Sequence, residues 1–139
     1  MADAEIAEVL RSVKSIALLG ASPKPQRPSH EVMRFLLLKG YVVFPVNPAL
    51  AGSQLLGQTV YGCLADIPRV VDMVDVFRNA EFLPEIVEEA IEHGARTLWT
   101  QLNVVDIKAA ARARAQGIRV VMDRCPAIEW PRLQAAGLL

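Results

Sequence analysis

The sequence predicts an α/β protein: a Rossmann-like, three-layer fold with a mostly parallel sheet and helices on both faces. Three observations carry this. Short apolar runs alternate with helix-patterned segments along the chain, an order that right-handed crossovers turn into a parallel sheet. The runs are continuously apolar rather than alternating, as strands covered on both sides must be. Hydrophobic residues make up 53% of the 139 residues, enough for a core on each face of one sheet in a single domain spanning residues 1–139.

Each element has its own signal. Residues 4–13 read as a short amphipathic helix. Residues 16–19 are a buried strand stopped by Gly20. Val32, Phe35, Leu36 and Leu37 have helical spacing, which predicts a helix over about 29–39 with Ser29 as its N-cap and Gly40 as its stop. Residues 41–46 are the second strand, ending in Asn47-Pro48. Residues 49–57 follow as a loop and 59–61 as a short third strand. Residues 72–77 are the fourth strand, 82–93 a helix ended by Gly94, and 97–100 the fifth strand. An alanine-rich helix over 105–116 ends at Gly117, residues 118–122 make the last strand, and 127–136 a final helix. The tail after Leu133 is expected to fray.

Charge narrows the classes of partner. Fifteen basic and 15 acidic side chains give a formal net charge of zero, so the chain as a whole does not attract nucleic acid or an anionic membrane. No apolar run approaches the ~18 residues that span a bilayer. Asp3, Glu5 and Glu8 are wrong for a secretory signal, and a cytoplasmic location is expected. Cys63 and Cys125 form neither a CxxC pair nor a zinc spacing and are expected to be free thiols.

In a parallel sheet of this kind ligands sit beyond the carboxyl ends of the strands. Gly20-Ala21-Ser22 follows the first strand and leads to a helix, whose terminal N–H groups are unpaired and carry partial positive charge. Lys24 and Arg27 lie in the same loop, stiffened by Pro23, Pro25 and Pro28. The loop is neither a P-loop nor a nucleophile elbow, because G-K-[ST] and G-x-S-x-G are both absent. After the second strand a dinucleotide site of the NAD type places Asp or Glu on the ribose 2′-hydroxyl; here the chain has Asn47-Pro48. Two cations and no acid favour a phosphate-rich nucleotide over NAD. Phe77 and Arg78 end the fourth strand, where an aromatic ring suits a base and a guanidinium a phosphate. His30 and His93 read as surface histidines. Cys125, beside Arg124 at the last strand end, is a candidate reactive thiol or a buried inert one. No Ser-His-Asp order and no paired catalytic carboxylates emerge from the spacing.

Taken in order, Gly-Ala-Ser-Pro-Lys-Pro with Arg-Pro-Ser, Pro-Val-Asn-Pro, Val-Asp-Val-Phe-Arg, Trp-Thr-Gln-Leu and Val-Met-Asp-Arg-Cys-Pro resemble the small stand-alone CoA-binding proteins. These are similar to the N-terminal CoA-binding domain of succinyl-CoA synthetase alpha subunits. The resemblance runs from about Val13 to Arg132. It implies a Rossmann-like domain that binds coenzyme A, or an acyl-CoA, at the strand ends. Gly20, Ala21, Ser22 and Lys24 match the pyrophosphate-side loop, and Arg27 and Ser29 its continuation. Asn47 and Pro48 match the segment after the second strand. Phe77 and Arg78 match the segment beside the adenosine. The chain ends where the synthetase continues into a second domain, so the resemblance implies a binding module without ligase chemistry of its own, serving a protein partner or a homo-oligomer. Two other readings are an NAD(P)- or CoA-dependent enzyme with catalytic groups around Gln101 and Cys125, and an interaction protein that has lost the ligand.

Overall fold

Alternation along buried strands sets the layers. A computed structural model describing residues 1–139 has five parallel strands: β1 (Ser15–Leu19), β2 (Val42–Val46), β5 (Met73–Val76), β6 (Thr97–Thr100) and β7 (Arg119–Val121), in the order β2-β1-β5-β6-β7. Every residue of β1, β5 and β6 is buried. Successive side chains point to opposite faces. Ile16, Leu18, Met73, Trp99 and Val121 therefore face one core, which α1 (Asp3–Ser12), α2 (Pro28–Leu38) and α5 (Pro126–Ala135) cover. Ala17, Leu19, Val74, Val76, Leu98 and Val120 face the other, covered by α3 (Leu83–His93) and α4 (Ile107–Ala115). Pro45 is tolerated because β2 is the sheet's edge and its missing N–H interrupts no ladder between two strands. No helix is long and apolar enough to cross a membrane.

Three expectations are corrected. The third strand over 59–61 does not join the sheet. Instead β3 (Gln54–Leu55) and β4 (Gln58–Thr59) form a separate antiparallel hairpin, and only Tyr61 bridges to Val46. Its two-residue turn, Leu56-Gly57, has φ of 48° and 80°, the doubly positive pair that matches strand twist in a tight hairpin. Leu56 gave no turn signal, so the hairpin was hidden in what reads as a loop. Secondly, the tail is docked rather than frayed. Leu133 is fully buried, Leu138 N–H donates to the Leu133 carbonyl, and Arg11 donates to the Leu138 carbonyl. Arg132 adds a two-pronged bond to Asp3 and another to the buried Glu129, joining α5 to α1. Thirdly, His93 is no free surface residue. Its Nε2 accepts from Val71 N–H at 3.0 Å, and burial lowers its pKa and holds it neutral.

Candidate functional site

The backbone at the end of β1 explains its glycine. Gly20 has φ of 89°, and a Cβ there would lie 2.9 Å from the Phe77 carbonyl oxygen. Any side chain would thus meet the backbone leaving β5. Gly20 and Ala21 N–H both donate to the Val46 carbonyl, so the turn hangs on the end of β2. Asn47 tightens the same corner. Its Nδ2 donates to the Ala21 carbonyl at 2.8 Å, and its Oδ1 accepts from Ala49 N–H at 2.9 Å. His30 Nδ1 donates to the Ser22 carbonyl at 3.0 Å. The phosphate-loop candidate is thereby fixed from three sides.

Beyond this corner the chain enters α2 without a side-chain cap. Arg27, not Ser29, is the N-cap residue, and Pro28 occupies the first turn. Ser29 is not the N-cap because Pro28 suits the first helical position, which moves the start two residues upstream. Ser29 is buried, and the N–H groups of Ser22, Gln26 and Ser29 have no acceptor within the protein. Lys24 and Arg27 are exposed and paired with no carboxylate. Ser22, Lys24, Arg27, Pro28 and Ser29, together with Gly20, Ala21, Asn47 and Phe77, line an open cavity of about 360 Å³. Free N–H groups, a helix N-terminus and two uncommitted cations make it an anion receptor in its chemistry.

A second cavity, of about 460 Å³, adjoins the first through Gly20 and Asn47. Pro48 and Arg78 line it, with Gly62, Cys63, Glu85 and Glu89. Arg78 lies 4.2 Å over the Phe82 ring. Burial, with Glu85 one helical turn away adding repulsion, pushes the Glu89 carboxyl up against the pull of Arg78. All ten sequence-derived site residues therefore line one cavity or the other, but they divide. Phe77 and Arg78 are neighbours in sequence, and the structure sends them to different cavities, since consecutive residues at a strand end point to opposite faces. Glu85 and Glu89 escaped the sequence reading. Their i, i+4 spacing on α3 was visible, but a charged helix face is ordinarily a solvated one.

Gln101 and Cys125 line neither cavity. Cys125 is 8% exposed at the start of α5, whereas Cys63 is an exposed thiol. Arg124, the neighbour of Cys125 in sequence, is paired with Glu129 at 3.1 Å. Gln101 is also buried, as is the whole of Asp75 in β5; both Asp75 oxygens and Gln101 Oε1 lack any hydrogen-bond partner.

The sequence from residue 14 to residue 131 matches the family model described as "CoA binding domain". The chain belongs to the CoA binding domain family. Among relatives, this CoA binding domain protein is 38% identical over 122 residues to YneT of Bacillus subtilis (strain 168), covering 88% of this chain and 89% of that one. It is 33% identical over 95 residues to the acetate–CoA ligase (ADP-forming) I subunit alpha of Pyrococcus furiosus, covering 66% of this chain and 21% of the subunit. Among solved structures, a hypothetical protein from Pyrococcus horikoshii OT3 superposes with a TM-score of 0.91 at 40% identity, covering 96% of this chain and 93% of that one.

Proposed function

We propose that this protein is a cytoplasmic binding module for coenzyme A or an acyl-CoA, and that it does no chemistry by itself. The observation that carries the reading is the cavity at the start of α2, lined by Lys24, Arg27 and the residues of two unpaired N–H groups, Ser22 and Ser29. Coenzyme A carries a diphosphate and a 3′-phosphate, the groups such a receptor favours. Family membership and the likeness to a ligase subunit support the choice of coenzyme. NAD is disfavoured because Asn47 stands where an acid would hold a free 2′-hydroxyl, and both ends of its amide already serve the backbone. The burial of Cys125 and the pairing of Arg124 weaken the enzymatic reading.

Titration calorimetry with coenzyme A and with NAD tests the proposal. Coenzyme A binds the more tightly if the reading is right; tighter binding of NAD overturns it. Native mass spectrometry of freshly purified protein then identifies any acyl group carried.

A further inference from the structure

At the amino ends of the strands, opposite the anion cavity, a recess of another character opens. A groove of about 440 Å³ lies between the end of α1, the turn from α2 into β2, and α5. Its lining is largely apolar: Leu10 and Val13 from the end of α1, Tyr41 and Val42 where β2 begins, and Trp130 from α5. The Tyr41 hydroxyl donates to the Leu10 carbonyl, which ties two of these segments together. Val42 is 43% exposed, and Leu38, just before the turn, is 82% exposed, so apolar surface continues beyond the groove.

The side-chain charges along this groove have one sign. Arg11, Lys14 and Lys39 line it, and no acidic side chain does. Arg11 is already taken, because its guanidinium donates to Glu8 at 3.2 Å and to the Leu138 carbonyl. Lys14 and Lys39 are exposed and pair with no carboxylate, and Leu139, which also lines the groove, forms no ion pair with either. Asp72 accepts the Lys14 backbone N–H and leaves its ammonium free. Lys14 directly precedes β1, Lys39 lies in the turn before β2, and these two strands are hydrogen-bonded neighbours. The Lys39 ammonium is held 5.1 Å from the centroid of the Trp130 ring and 5.6 Å from that of Phe35. In a chain of zero net charge, two uncommitted cations beside one apolar groove are a local excess.

Such a lining suits an amphipathic anion, whose body leaves water for the apolar surface while its head gains a counter-charge. The body it favours is aliphatic. The Trp130 ring already has the Lys39 ammonium over it, and Tyr41 meets it at 88° with centroids 6.2 Å apart, so both compete with a stacked aromatic ligand. Leu10, Val13 and Val42 offer no ring at all. We propose that the groove binds a fatty carboxylate: its alkyl chain lies on Leu10, Val13 and Trp130, and its head pairs with Lys14 and Lys39. The site shares no residue with the anion cavity and stands independently of the coenzyme reading.

Calorimetry on the full chain tests this with decanoate, kept below its micellar concentration, and with decanol and decylammonium, which keep the tail and change the head. Decanoate is expected to bind more tightly than either, and more tightly than hexanoate, whose shorter tail buries less surface. Lys14→Gln and Lys39→Gln are each expected to weaken decanoate roughly 2- to 5-fold, the scale of an exposed charge pair, and the double variant roughly 4- to 25-fold. The groove also has its own reporter. Of the two tryptophans Trp99 is fully buried and Trp130 lines the groove, so decanoate is expected to change tryptophan emission in wild type and not in Trp130→Phe. Absence of decanoate binding overturns the proposal. So does equal affinity for decanol, which marks an apolar surface without a head-group site, and so does unchanged affinity in the double lysine variant. Weakening by Arg27→Ala in place of the lysine variants puts the carboxylate in the anion cavity and overturns it likewise.

Discussion

Asp75→Asn tests how the core tolerates a buried acid. Asp75 lies on the central strand β5, between Leu18 and Trp99 in register. It is completely buried, and neither carboxyl oxygen has a hydrogen-bond partner. Burial penalises the charged form and pushes its pKa well above the usual carboxylate range, so the folded protein holds the group protonated. In the unfolded chain it ionises near pH 3.9. Below that pH both states are protonated, and the contribution to stability is fully present. As the pH rises further, the unfolded chain releases a proton that the folded chain keeps. Stability then falls by about 1.4 kcal/mol per pH unit until the pH passes the folded pKa, where the loss levels off.

The assay is urea unfolding of wild type and Asp75→Asn at intervals between about pH 4 and pH 8, read as the difference between the two. Taking the difference cancels groups that titrate in both proteins. Among these are Asp3 and Glu88, whose hydrogen bonds with Arg132 and Arg112 hold them low and act in the opposite sense. The variant is expected to gain on wild type as the pH rises from 4, at a rate approaching about 1.4 kcal/mol per pH unit for as long as the folded carboxyl stays protonated. Its stability at pH 4 is a separate matter, because a buried amide has unmet hydrogen bonds of its own. Parallel curves for the two proteins would refute the reasoning: Asp75 would then be ionised in the fold and satisfied by a partner.

Arg27→Ala is expected to weaken coenzyme A by about 1.5–3 kcal/mol, the scale of a charge-assisted bond, with unchanged melting of the free protein; unaltered affinity in calorimetry assigns Arg27 to solvent. Gly20→Ala is expected to cost about 2–4 kcal/mol in urea unfolding, combining positive-φ strain with the 2.9 Å approach to Phe77. A cost below about 1 kcal/mol would mean that the end of β5 gives way. Incubation with coenzyme A disulfide is expected to modify the exposed Cys63 and spare the buried Cys125. In intact-mass measurements the adduct should survive Cys125→Ser and vanish in Cys63→Ser, and the reverse pattern would place Cys125 in the open.

The fold was legible where one physical rule acted alone. Ile16 to Leu19 could be nothing but a strand covered on both faces, and Gly94 at φ 88° ends α3 as a helix-stopping glycine does. Legibility failed where two rules competed. Ser29 is a good cap, yet Pro28 is a better first helical residue, and the proline set the boundary. Leu56 is a poor turn former, and its positive φ comes from the strand pairing around it. The tail after Leu133 lacks strong periodicity, and its order comes from Arg11 and Arg132, whose partners lie more than a hundred residues away in sequence. Such contacts leave no local signature.

The division of the candidate site follows from the same period-two rule that built the core. Residues after β5 alternate between faces, so Phe77 is committed to the anion cavity and Arg78 to the cavity of Glu85 and Glu89. One face therefore has cations and free N–H groups, and the other has two carboxylates around a single guanidinium. A bare phosphate has no use for the second face. A ligand that unites phosphates with hydrogen-bond donors such as ribose hydroxyls or an exocyclic amine uses both, provided it bends across the bridge at Gly20 and Asn47. A side chain at Gly20 would press on the Phe77 backbone and displace that bridge, and the loss of the Asn47 ties would loosen it. On the coenzyme reading, the corner formed by these two residues therefore matters more to recognition than either cation, although neither residue offers the ligand a charge.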